Sequence, residues 1–243
     1  MLVGCSVLTK KITQTLIVSR CRGFIDLAAH PKRAGKRVEL LPKSSHIDFL
    51  LSNWLNGALS TTALRGKPKK IRTPLNVCNA EGNRGYNILK ESISTITQAF
   101  IEKLRNSVPT TQARFDKIFF EASENLKHKA CNNGLLWSFG RSQKFFNILL
   151  KYGFVVSLVA PEKLSKQELD LIKSIVPFQH APVDSITLEH LRNRTDKNFL
   201  KGIYWGWNMT IEDYEKIRKT IMRFANEAEC SPIAYETCKI WHP

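Results

Sequence analysis

Apolar side chains in this sequence recur every three or four residues and almost never every second one, which confines the chain to helices packed on helices. The clearest stretch covers about residues 86–104, where Ile88, Leu89, Ile93, Ile96, Phe100 and Ile101 share one helical face. Beyond Pro109, Thr110 or Thr111 can cap a second helix with apolar Phe115, Ile118, Phe119, Ala122 and Leu126. Asn132-Asn133-Gly134 is a turn signal, and a helical run over 145–152 follows, stopped by Gly153. Ser165-Lys166-Gln167-Glu168 is a capping box opening a short helix with Leu169, Ile172 and Ile175. Further starts are expected at Asp184-Ser185, at Thr210 and at Ser231-Pro232. An earlier helix is expected over about 45–59, between basic, proline-containing loops at 31–43 and 65–75. The expectation is an all-α bundle of about ten helices over residues 44–243, preceded at 1–43 by a basic arm or partly disordered leader.

Charge narrows the partner. The chain carries 37 Lys and Arg against 21 Asp and Glu, a net charge of +16. Residues 1–80 hold 14 basic and 3 acidic side chains, whereas residues 81–243 hold 23 and 18. An excess of this size favours a polyanion, because phosphates are neutralised with release of counterions. A solubilising surface or a ribosome-like tail gives the same balance. Through residue 37 there are eight basic side chains and one acid, Asp26, a composition shared by transit peptides and DNA-contacting arms. No run approaches eighteen apolar residues, so no membrane span is expected. The six cysteines (5, 21, 78, 131, 230 and 238) form no C-x-x-C pair and lack zinc-finger and iron–sulfur spacing. They read as reduced thiols, with no metal or cofactor. A monomer in the cytoplasm or on the nucleoid is expected.

Two segments carry candidate chemistry. In a helix beginning at Ser142, Lys144, Asn147 and Lys151 fall on one stripe at i, i+3 and i+7. An ordinary helix with a solvated basic face has the same pattern. The second segment is Gln179-His180-Ala181-Pro182-Val183-Asp184-Ser185-Ile186. An Asp just before a helix is most often only its N-cap.

Taken together, the two segments resemble the helix-hairpin-helix base-excision DNA glycosylases, nearest to the 8-oxoguanine glycosylases including the archaeal branch. Pro182-Val183-Asp184 matches the family's Pro-Val-Asp at a helix start. Gly140-Arg141-Ser142-Gln143-Lys144 matches the lysine that follows the hairpin's glycine turn. The order, lysine before aspartate, agrees, and the 40-residue gap is similar to the extended connection of the archaeal branch. The resemblance covers roughly residues 110–243. Only one of the hairpin's two usual glycines, Gly140, is present, and the absence of an iron–sulfur cysteine set excludes the endonuclease-III-like branch.

The resemblance implies excision of a modified base from double-stranded DNA, with or without an associated lyase step. Asp184 would stabilise positive charge developing on the sugar, and Lys144 would attack C1′ to form a Schiff base. Gly140, Arg141, Gln143 and Lys151 would meet DNA, with Arg141 and Lys151 as cationic neighbours of Lys144. Flipping the base needs a pocket with aromatic walls. Trp137, Gln179, His180, Trp205 and Trp207 are the candidates, although aromatics of this kind are more often core than pocket. A non-catalytic helix-hairpin-helix DNA-binding protein, or an interaction protein working through residues 1–80, are the alternatives. The target base is not legible, and defence against modified foreign DNA fits as well as housekeeping repair.

Overall fold

A computed structural model describes residues 85–133, 137–159, 161–196, 198–206 and 208–240. The basic arm, its boundary at residue 43, the helix expected over 45–59 and Trp207 lie outside those residues. The described chain is helical, with seven α-helices and no strand. They are α1 (Gly85–Asn106), α2 (Gln112–Asn132), α3 (Phe139–Val159), α4 (Lys166–Ile175), α5 (Ser185–Arg192), α6 (Ile211–Glu227) and α7 (Pro232–Tyr235). Two single 3-10 turns, Pro161–Lys163 and Val176–Phe178, and a π-helical turn, Glu236–Ile240, complete the fold. None of the described helices is long and apolar enough to cross a membrane.

The helix starts follow their capping chemistry. Thr111, Ser165, Asp184, Thr210 and Ser231 each accept a backbone N–H of the helix they precede. Reciprocal capping boxes close at Ser165 with Glu168 and at Thr210 with Asp213. The apolar faces read from the sequence are buried, with Ile93 and Phe100 on α1 and Phe115, Phe119 and Leu126 on α2, and α6 buries Tyr214, Ile217 and Ile221 at the same helical spacing.

α3 departs from the expectation at both ends. It begins at Phe139, so Gly140 lies in its first turn instead of in a hairpin turn. It also continues through Gly153 to Val159. An interior glycine costs a helix about 1 kcal/mol, which one well-buried side chain offsets. Phe154 supplies that burial against Ile233 and Ala234. Every residue from 137 to 151 is buried, so α3 is the axis around which the others pack. Phe145, Phe146, Leu149 and Leu150, at most 4 % exposed, contribute roughly 1.5–3 kcal/mol each. That apolar burial carries the polar residues Arg141, Gln143, Lys144, Asn147 and Lys151 into the interior with it.

Candidate active site

Lys144 and Asp184 meet. The Lys144 ammonium lies 3.1 Å from Asp184 Oδ2, and the two side chains are only 9 % and 3 % exposed. The carboxylate divides its work between its oxygens. Oδ1 accepts from Ile186 N at 3.0 Å, Thr187 N at 3.1 Å and Thr187 Oγ1 at 3.3 Å. Oδ2 is turned to the lysine. Helix cap and ion-pair partner are therefore compatible roles of one side chain, and the N-terminus of α5 adds its partial positive charge.

The preceding residue of α3 fixes the register of this contact. Gln143 Nε2 donates to Val183 O at 2.7 Å, and Val183 N donates to Gln143 Oε1 at 3.2 Å. Consecutive residues of α3 thus hold consecutive residues of the Ala181-to-Asp184 segment. One turn on, Asn147 Nδ2 lies within hydrogen-bond distance of Gln143 Oε1 at 2.9 Å, the Tyr214 hydroxyl at 2.9 Å and Ala181 O at 3.3 Å, while its Oδ1 is buried with no hydrogen-bond partner. Gln143 closes bonds on both atoms of its buried amide and so specifies one arrangement, since leaving either unmade costs about 1–3 kcal/mol.

A loop between α5 and α6 covers the pair. The Trp205 ring centroid lies 4.5 Å from Lys144 Nζ, a cation–π contact, and the indole is half-buried. The loop is docked on the first turn of α3. Ser138 Oγ donates to Trp205 O at 3.0 Å and Arg141 Nε to Gly206 O at 2.9 Å. Gly140 permits this, because a Cβ there would stand 1.8 Å from Trp205 O. Its glycine serves a close approach of backbone to helix.

The remaining candidates are placed differently from the expectation. Arg141, Gln143 and Lys151 are not on a phosphate-facing surface: all are at most 4 % exposed, as part of the buried axis. Burial lowers the Arg141 guanidinium to about 10, and its charge lies 5.8 Å over the Trp137 ring. Lys151 donates to Glu236 Oε2 at 2.6 Å. Trp137 is an interior residue whose indole donates to Ser142 Oγ at 2.9 Å. His180 is a core histidine among Phe115, Phe119 and Tyr214. Its ring nitrogens lie 3.0 Å from the Tyr214 hydroxyl and 2.7 Å from Asp116 Oδ1. Burial pushes its pKa below the ordinary histidine value, against the pull of Asp116. Gln179 is buried, and neither atom of its amide has a hydrogen-bond partner. Of the described aromatic candidates, only Trp205 is in contact with the Lys144 ammonium.

Three contributors escaped the sequence reading. Asn147 was visible on the stripe with Lys144 but had no partner to suggest its part. Tyr214 carries the periodic signal of a core residue, which conceals its hydroxyl. Glu236 opens the π-helical turn that follows α7 and gives no motif at all.

No family model matches the chain, and neither a curated protein nor a solved structure matches it.

Proposed function

We propose that the chain is a DNA glycosylase of the helix-hairpin-helix type that excises a modified base from double-stranded DNA, with Asp184 and Lys144 as its reactive pair. One observation carries this reading: two residues forty positions apart, each singled out by the sequence, form a buried ion pair beneath an aromatic loop. Breaking the N-glycosidic bond sends its electron pair into the departing base and leaves positive charge on the sugar. The Asp184 carboxylate, fixed by three donors on one oxygen, is a preorganised counter-charge for that transition state. In the lyase route Oδ2 accepts a proton from the Lys144 ammonium, and the freed amine bonds to C1′ as the base leaves and takes up a proton. Opening of the sugar ring then gives a Schiff base, from which β-elimination expels the 3′ phosphate.

The test is a panel of duplexes, each with one modified base, scored for base release with and without borohydride. Release accompanied by a covalent adduct on Lys144, lost in Lys144→Gln, is the bifunctional outcome. Release without an adduct leaves a monofunctional enzyme that relies on Asp184. Binding to every duplex with release from none leaves a DNA-binding protein and overturns the proposal.

A further inference from the structure

One series of hydrogen bonds joins the backbone before Asp184 to a carboxylate at the edge of the core, and its direction is determined. Gln143 bridges Val183 with both atoms of its amide, so backbone groups fix which end is oxygen. Its Oε1 can only accept, and Asn147 Nδ2, 2.9 Å away, must donate to it. The second hydrogen of that amide goes to the Tyr214 hydroxyl, also at 2.9 Å. Tyr214 keeps its own hydrogen for His180 Nδ1 at 3.0 Å. A ring nitrogen that accepts carries no proton, so neutral His180 holds its proton on Nε2, 2.7 Å from Asp116 Oδ1.

The far end is anchored as well. Arg218 lies 3.0 Å from Asp116 Oδ2, and Gln112 Nε2 donates to Asp116 Oδ1 at 2.7 Å and to Phe178 O at 3.0 Å. Gln143, Asn147, Tyr214 and His180 are at most 2 % exposed, whereas the Asp116 side chain is 15 % exposed. A second proton on His180 would set Nδ1–H against the Tyr214 hydroxyl, whose hydrogen would then lose its acceptor. The charged groups facing the ring are Asp116 on α2 and Arg218 and Glu215 on α6. Burial outweighs the pull of Asp116 and favours the neutral ring.

We propose that Asp116 is a positioning residue of the candidate site: it holds the His180 proton on Nε2, and through Tyr214 and Asn147 this keeps Gln143 on the backbone that delivers Asp184. The proposal rests on the glycosylase reading for its catalytic consequence alone. His180 touches no reacting atom in this account. It is a core residue whose proton position orders the site from the opposite side of the helix layer.

The experiment uses nitrogen NMR of the full protein, with the His180 ring signals assigned by their loss in His180→Asn, together with amide hydrogen exchange and single-turnover base release. Wild-type His180 is expected to be neutral with its proton on Nε2. In Asp116→Ala the proton moves toward Nδ1, because Gln112 Nε2, 3.2 Å from His180 Nε2, is then free to donate to it. The Val183 amide, which donates to Gln143 Oε1, then exchanges about tenfold faster, the scale of one buried hydrogen bond. Amides of Leu126 and Ala225 should be unchanged, which separates this effect from general loosening of the fold. Base release slows about tenfold or more with duplex affinity unchanged, the signature of misplacement and not of lost binding. Asp116→Asn retains an acceptor and should restore the tautomer, the exchange rate and the base release. Should Asp116→Ala not fold, Tyr214→Phe cuts the series while keeping the ring, and the Val183 amide should again exchange faster. A wild-type proton on Nδ1, or Val183 exchange unchanged in the folded variants, overturns the proposal even where base release is observed. So does an Asp116→Asn protein as impaired as Asp116→Ala. The expected tautomer and exchange pattern without base release by wild type leaves the positioning standing and removes the glycosylase reading.

Discussion

α3 carries two buried lysine–carboxylate pairs two turns apart, and they are built differently. At Lys144 the partner Asp184 is gripped by the N-terminus of α5 through one oxygen and presents the other to the lysine. At Lys151 the partner Glu236 accepts from Lys151 and Thr237 on Oε2, while Oε1 is buried with no hydrogen-bond partner. A half-buried aromatic loop covers the first pair, whereas the second is sealed, with side chains 5 % and 0 % exposed. Burial, reinforced by the charge of Asp184, pushes the Glu236 carboxyl above its ordinary value, against the pull of Lys151. A buried ion pair is therefore no sign of chemistry by itself. What separates the two is a carboxylate held by backbone donors and a neighbour at the surface.

The comparison predicts unequal costs. Lys151→Met leaves Glu236 buried without its counter-charge and should destabilise the fold by about 3–5 kcal/mol. Lys144→Met should cost less, because Asp184 keeps its three donors. Urea unfolding of both variants decides this, and equal losses would erase the distinction. Gly140→Ala should come next. Its Cβ meets a backbone carbonyl that cannot rotate away, so a loss of roughly 1–3 kcal/mol is expected. It should be accompanied by a change in Trp205 fluorescence as the loop lifts from Lys144. An alanine that leaves both stability and emission unchanged would mean that the loop is not docked there.

The smallest effect is on pH dependence. A carboxyl raised above its unfolded value of 4.5 contributes stability that is fully present below 4.5 and is lost as pH rises through its folded value. The melting temperature of wild type relative to Lys151→Met/Glu236→Leu should therefore fall as pH rises from 4.5. A difference that grows with pH would contradict the burial argument at Glu236.

The helical class and the capped starts were legible because each has a local signal, apolar periodicity or a capping side chain, and the sequence also singled out Lys144 and Asp184, which the fold brings together. What was not legible depends on tertiary contact. The stripe through Lys144, Asn147 and Lys151 looks the same in sequence whether it faces water or carboxylates. Only Glu236, 85 residues beyond Lys151, shows which. Gly140 reads as a turn until Trp205 O is found against it. Gly153 reads as a stop because the helix beyond it is sustained by Phe154 packing on Ile233 and Ala234 from the far end of the chain. His180 beside a candidate site reads as functional, although Phe115, Phe119 and Tyr214 enclose it as core.

The most direct test of the reactive pair is base release from the modified-duplex panel by wild type and by Asp184→Asn. Asparagine also caps helices, so the variant should fold, and circular dichroism verifies it. The account predicts release of at least one modified base by wild type and a loss on the order of 10²–10³ in rate for Asp184→Asn, the scale of removing a preorganised electrostatic partner. Release undiminished in the folded Asp184→Asn protein would contradict it.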